Sequence, residues 1–139
     1  MRSRILVAFV LTASLALVAQ EQQVRKTTAP HTSPASGKEM YTAYCASCHG
    51  ADGKGSGPAA SALKTPPSDL TAIQKTNGGK FPSDHVFEII NGRANTPAHG
   101  SADMPVWGPI FRRLSGSHDA EVQQRVSNLT SYIRSMQQK

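Results

Sequence analysis

The chain has 139 residues, 38% of them hydrophobic and only 6% aromatic, with 11 Gly and 9 Pro. That is the length of one domain with long loops around a modest core, and it is too poor in β-branched and aromatic side chains for a large β-sandwich. One apolar stretch excludes a polytopic membrane protein, two cysteines exclude a disulfide-rich scaffold, and the formal charge of +6 includes no basic run interleaved with aromatics that would suit nucleic acid.

In chain order, Met1-Arg2-Ser3-Arg4 precedes an almost wholly apolar run over residues 5–19. Two arginines before a run too short to span a bilayer, with Ala16 and Ala19 as small residues near its end, have the layout of a secretory signal. Residues 1–19 are therefore expected to be a cleaved signal peptide, or else an uncleaved N-terminal anchor. Cleavage removes two arginines and leaves a net charge of +4. That mild positive field suits an acidic protein partner and an ordinary solvated surface equally well. Residues 20–35 are polar, with Val24 as their one large apolar residue, and carry two prolines. They read as a disordered spacer, which places the folded unit at residues 36–139.

The folded unit reads as all-α. Ser36 is placed to N-cap a helix over residues 37–47. Residues 68–73 predict a turn or two, ended by Gly78-Gly79. Residues 84–91 predict a short helix closed by Gly92, and residues 107–114 a further one. Ser117 is placed to N-cap the longest helix, whose Val122, Val126, Leu129, Ile133 and Met136 fall at steps of 4, 3, 4 and 3, one face of a helix. A loop-rich, aromatic-poor chain of this size has limited apolar area to set against its chain entropy, so something else is expected to fill its middle.

Cys45-Ala46-Ser47-Cys48-His49 has the C-x-x-C-H pattern of c-type haem attachment. Two thiols at this spacing add to the two vinyl groups along one edge of the porphyrin, and the histidine that follows becomes the proximal iron ligand. A shuffled chain of this composition would carry the pattern roughly once in 2000. The competing readings fit less well. A redox dithiol wants a βαβ context, a zinc site needs a further ligand and cannot easily use adjacent Cys and His, and a disulfide across two residues would be strained.

With that motif the chain resembles the class I cytochrome c family in its small bacterial monohaem form, over about residues 36–138. Gly37 and Tyr41 match a glycine and an aromatic four apart on the family's first helix, and Leu129 and Tyr132 a leucine and an aromatic three apart on its last. The resemblance implies that these helices cross closely at the glycine, around one covalently attached haem c. It also implies that Gly57-Pro58 is the loop whose proline carbonyl accepts the proton on the other nitrogen of His49, a bond that raises ligand basicity.

The family supplies its distal methionine from a loop like the one holding Met104-Pro105, 55 residues after His49. Met40 lies too near the attachment motif and Met136 falls on a core face, so Met104 is the best candidate for the sixth position, with His99 as its rival. His31, His85 and His118 read as surface histidines. Trp107 either packs at the haem edge, donates to a propionate or serves the core alone; Arg93 is a candidate propionate partner. Pro66-Pro67, Ala59 and Leu63 are expected around the pocket.

The expectation is an exported, periplasmic electron carrier rather than an enzyme. It exchanges single electrons with redox proteins such as a dehydrogenase, an oxidase or another cytochrome, and meets a membrane only through an uncleaved N-terminus. The alternatives are a haem subunit or dedicated donor of a dehydrogenase or oxidase complex, a five-coordinate haem enzyme or gas sensor, and a module without haem.

Overall fold

The computed structural model describes residues 29–93 and 104–138. The expected signal at residues 1–19, residues 20–28 of the expected spacer, and His99 lie outside the described residues. Among the described residues there are six α-helical stretches, two 3-10 turns and no strand. None of these helices is long and apolar enough to cross a membrane.

Helix α1 spans Gly37–Tyr44, and Ser36 caps it by accepting from the Glu39 N–H at 3.1 Å. The helix expected over residues 37–47 is divided at Cys45, where φ is −111°, and α2 resumes over Ala46–His49. The remaining helices are α3 at Ile73–Thr76, α4 at Ser83–Asn91, α5 at Trp107–Leu114 and α6 at Asp119–Ser135. The 3-10 turns are Ala60–Ala62 and Leu70–Ala72. Gly92 closes α4 with φ of 79°, as its sequence position implies.

The N-cap expected at Ser117 is not what starts α6. Its cap is His118, whose side chain makes no capping bond, while Ser117 sits at φ 69° and donates its N–H to the Arg112 carbonyl at 2.8 Å. Residues 115–117 are used to close α5, so the hydroxyl that looks like a cap belongs to the turn before it.

Helix α6 packs on α1, α4 and α5. Its periodic face lies in the core, with Val122, Val126, Leu129 and Ile133 buried, and Met136 partly buried against them. At the α1–α6 crossing a Cβ on Gly37 would lie 2.1 Å from the Asn128 carbonyl oxygen. The backbones touch there, and Tyr41 meets Tyr132 with ring centroids 5.3 Å apart. The close crossing that the resemblance implied is thus present.

The segment read as spacer differs at its end. Residues 29–35 lie against the domain. The Tyr44 hydroxyl donates to the Pro30 carbonyl at 2.5 Å, Asn128 Nδ2 to the Pro34 carbonyl at 2.8 Å, and Arg125 Nη1 to Thr32 Oγ1 at 3.1 Å. Arg125 is only 3% exposed and is paired with Glu121 at 2.8 Å. A buried guanidinium needs its donors satisfied, and a polar strap supplies an acceptor, so the packed unit reaches back at least to residue 29. Low hydrophobicity in a short segment conceals this, because the partners are helix side chains far along the chain.

Tyr41 gives this core a pH limit. It is buried, its hydroxyl donates to the Gly50 carbonyl at 2.7 Å, and burial, aided by Cys45, Tyr132 and Asp52, pushes its pKa up to about 12. The folded chain therefore keeps a proton that the unfolded chain releases near pH 10. The contribution is complete below pH 10 and is lost as pH rises from 10 through 12, about 3 kcal/mol in all. Denaturant titrations between pH 8 and 12 should show this fall in wild type and a flatter profile in Tyr41→Phe. The variant should also be about 1 kcal/mol less stable at pH 8 for want of the Gly50 bond.

Candidate functional site

The break at Cys45 brings Cys45, Cys48 and His49 onto one cavity, whose free volume is about 1150 Å3 with its open mouth included. Leu63, Leu70, Ile73, Val86, Ile89 and Ile90 supply its apolar lining, and Met104, Pro105 and Trp107 also face it. Leu63, Leu70, Ile73 and Ile89 are each only partly buried. Apolar side chains half-exposed around one cleft, with two thiols, an imidazole and a thioether on its surface, are the donor set and lining that fit a flat apolar macrocycle carrying an iron.

The Cys45 thiol suits attachment better than metal ligation. Burial, with the neighbouring Cys48 adding, pushes the Cys45 thiol up to about 12, so it is a neutral S–H rather than a thiolate. A thioether at that place carries no charge to bury. Among the described residues no group of three or more His, Cys, Asp or Glu is arranged to hold a metal ion.

His49 is partly buried, and its Nδ1 lies 3.1 Å from the Ser68 carbonyl oxygen. This corrects the assignment to Pro58, which is exposed and does not line the cavity. A Cβ on Gly57 would lie 2.4 Å from the Ser47 carbonyl, so the Gly57-Pro58 turn is pressed against α2 itself. The carbonyl that reaches His49 comes from the next loop, after Pro66-Pro67. With Nδ1 directed to that carbonyl, Nε2 is the ring nitrogen that would ligate iron. The Ser68 loop runs into the 3-10 turn capped by Asp69, whose Oδ1 accepts from Thr71 N at 2.8 Å and from Thr71 Oγ1 at 2.6 Å. The Thr71 hydroxyl bond, foremost, holds the Asp69 carboxyl below its usual range.

Met104 is partly buried on the same cavity as His49. The other methionines that the structure describes are placed elsewhere. Met40 is fully buried, with Arg125 Nη1 3.8 Å from its sulfur, and Met136 packs against the core. Trp107 serves both the cavity and the core: it is 8% exposed, stacks on Phe111 at 5.6 Å and meets Tyr44 at 5.1 Å. Arg93 is exposed just after α4 and is not on the cavity wall, so the structure gives it no contact there. Pro66, Pro67 and Leu63 line the cavity as expected, whereas Ala59 does not. His31, His85 and His118 are exposed.

Sequence reasoning missed Ser68, Tyr44, Ile73 and Ile89 on the cavity. The Pro66-Pro67 pair was the available signal for Ser68, since a stiff extended dipeptide fixes the direction of the carbonyl that follows. Among the described residues Asn91 Nδ2 is buried without a hydrogen-bond partner, at the point where a Cβ on Gly108 would lie 2.6 Å from Asn91 Oδ1. Helices α4 and α5 therefore meet tightly just beyond the Met104 loop.

Compared with curated proteins and with solved structures, the chain shows no significant match. A family model does match: that of cytochrome c, over residues 34–137. The match spans the six helices and the cavity. It starts within the strap that packs against α6, and its helical, haem-wrapping fold is the one described above. The motif at residues 45–49, the cavity it faces and this match together show that the chain belongs to the cytochrome c family, with haem c attached covalently at Cys45 and Cys48.

Proposed function

We propose that this protein is an exported one-electron carrier whose haem iron is ligated by His49 and Met104. Cytochromes c are in general electron-transfer proteins and usually work outside the cytoplasm. The observation that carries the finer reading is that Met104, 55 residues from His49, faces the same apolar cavity as that histidine and both thiols. When bound, haem supplies a one-electron couple. The chain's own part would be to hold the iron through His49 and Met104 and to exclude water with the aliphatic lining. An imidazole and a thioether would hold the iron in either oxidation state with little reorganisation, and a thioether would favour the reduced state and raise the potential. A closed coordination sphere leaves no position for oxygen or peroxide, which is the arrangement of a carrier rather than a catalyst.

Partners would be other redox proteins meeting the cavity mouth in brief, small contacts. Pro105 and Val106 are exposed beside Met104, Val106 at 51%, and Lys64 is exposed between Leu63 and Thr65 of the cavity wall. Exposed apolar residues and a cation, each next in the chain to cavity-lining residues, suit an acidic-rimmed partner. Export rests on the signal-like residues 1–19.

The test is the absorption spectrum of the haem-loaded protein and of Met104→Ala. Wild type should be low-spin, show a weak ferric sulfur-to-iron charge-transfer band and ignore carbon monoxide when reduced. Met104→Ala should lose that band, bind carbon monoxide and fall in potential. A wild-type protein that is high-spin and binds carbon monoxide would replace the carrier with a five-coordinate enzyme or gas sensor.

A further inference from the structure

The carbonyl that meets His49 belongs to an exposed loop residue outside any helix. What holds Ser68 in place comes from two directions. On the near side, the Leu70 N–H donates to the Gly53 carbonyl at 2.7 Å, and a Cβ on Gly55 would lie 2.2 Å from the Pro67 carbonyl, so the loop lies flat on the backbone after the attachment motif. On the far side, residues just past α6 grip the turn that follows Ser68. Gln137 Nε2 donates to the Leu70 carbonyl at 2.7 Å and to the Ile133 carbonyl at 2.9 Å, while Gln137 Oε1 accepts from the Gln74 N–H at 2.8 Å. Gln138 adds its N–H to the Thr71 carbonyl at 3.0 Å and its Nε2 to Thr71 Oγ1 at 2.8 Å.

One primary amide thus bridges a carbonyl of the 3-10 turn and an N–H of α3, and anchors both to the end of α6. The Gln74 N–H is a first-turn donor of α3, which has no side-chain cap of its own, so Gln137 does the work of a cap from 63 residues away. An aliphatic residue at 137 would cover the same surface without fixing the register of the turn, whereas hydrogen bonds are directional.

We propose that Gln137, supported by Gln138, is a positioning residue for the proximal ligand: by clasping residues 70–74 to α6 it holds the Ser68 carbonyl on His49 Nδ1. This rests on His49 being the proximal ligand. The Nδ1–H···O=C bond gives the imidazole partial imidazolate character and stabilises ferric iron. Loosening the clasp lengthens that bond, weakens the ligand as a donor and favours the ferrous form.

The experiment uses the full haem-loaded chain, wild type and three variants. Gln137→Ala removes the clasp. Gln137→Glu keeps length and the acceptor for Gln74, but sets an oxygen against the Leu70 carbonyl in place of a donor. Ser127→Gly weakens α6 at an exposed position remote from the clasp and controls for lost stability. Two quantities are read: solvent exchange of the hyperfine-shifted ring N–H of the ligated histidine in ferric NMR spectra, and the midpoint potential. Both Gln137 variants should exchange that proton about tenfold faster and shift the redox equilibrium about threefold toward the ferrous form, with Ser127→Gly leaving both at wild-type values. Exchange and potential unchanged in Gln137→Glu, with only a lower melting temperature, would overturn the proposal and reduce the clasp to a stabilising contact. A wild-type spectrum with no ligated histidine would instead remove the proximal reading beneath it, and is seen before any variant is made.

Discussion

Gly37→Val should leave the chain unable to fold to its native state, and Gly37→Ala should cost about 3–5 kcal/mol. The smallest possible side chain at this position places its Cβ 2.1 Å from the Asn128 carbonyl oxygen, 2.8 Å from its carbon and 2.9 Å from Tyr132 Cβ. Two of these three neighbours are backbone atoms, which no rotamer change can move. Relief therefore requires α1 to separate from α6, and that separation opens the packing of Tyr41 on Tyr132 and of fully buried Met40 on its neighbours. The loss in Gly37→Ala corresponds to a melting temperature lower by about 15–30 °C for a domain near 100 residues. Thermal denaturation followed by circular dichroism of the haem-loaded protein measures it. A shift under about 5 °C would mean that the helices can part without cost, against the rigidity expected of close-packed backbones.

The double substitution Cys45→Ala/Cys48→Ala should give a protein from which any haem is extracted by acidified organic solvent, whereas wild-type haem stays with the chain. The same variant should melt at least about 15 °C lower, a loss on the order of 3 kcal/mol. The cavity those thiols face is lined by Leu70, Ile73, Val86, Ile89 and Ile90 on helices and turns from the middle of the chain, with Ile133 from α6. Covalent attachment keeps the macrocycle against all of them at once and makes it part of the core. Without the thioethers the group is free to dissociate, and its loss leaves these side chains facing solvent. The Trp107 near-ultraviolet signal should weaken as well, because Trp107 both lines the cavity and stacks on Phe111. Haem that resists extraction from the double variant would show that the bonds lie elsewhere. Each single variant should retain one thioether and fall between the two.

The helices of this protein are legible in its sequence because what makes them is local. Gly92 ends α4 through a backbone conformation that glycine adopts readily, Ser36 starts α1 through one oxygen, and the α6 face repeats within a few residues. The attachment motif is equally local, since two sulfurs and an imidazole must meet one ring edge. The close crossing at Gly37 was legible only through resemblance, because nothing in a lone glycine says which helix it meets. Where local rules compete, the sequence is silent. Ser117 satisfies the rule for an N-cap and yet closes the preceding helix.

By itself the sequence determined the all-α class, the motif at Cys45, Cys48 and His49, the short list from which Met104 emerges, and which helix faces turn inward. Only the tertiary structure decided which carbonyl meets His49, that residues 29–35 belong to the packed unit, and that Arg93 is not among the residues lining the cavity. The physical reason is the same in each case. Pro58 and Ser68 stand 10 residues apart in successive loops after the motif, and spacing permits either carbonyl to reach the ring. The choice falls to contacts made across the fold: the Gly57 turn pressed on α2, the Pro67 carbonyl lying against Gly55, and a glutamine amide 67 residues along the chain from the turn it grips. Bonds between residues so far apart leave no periodicity or spacing in the sequence, and exist only once α6 has packed against the rest.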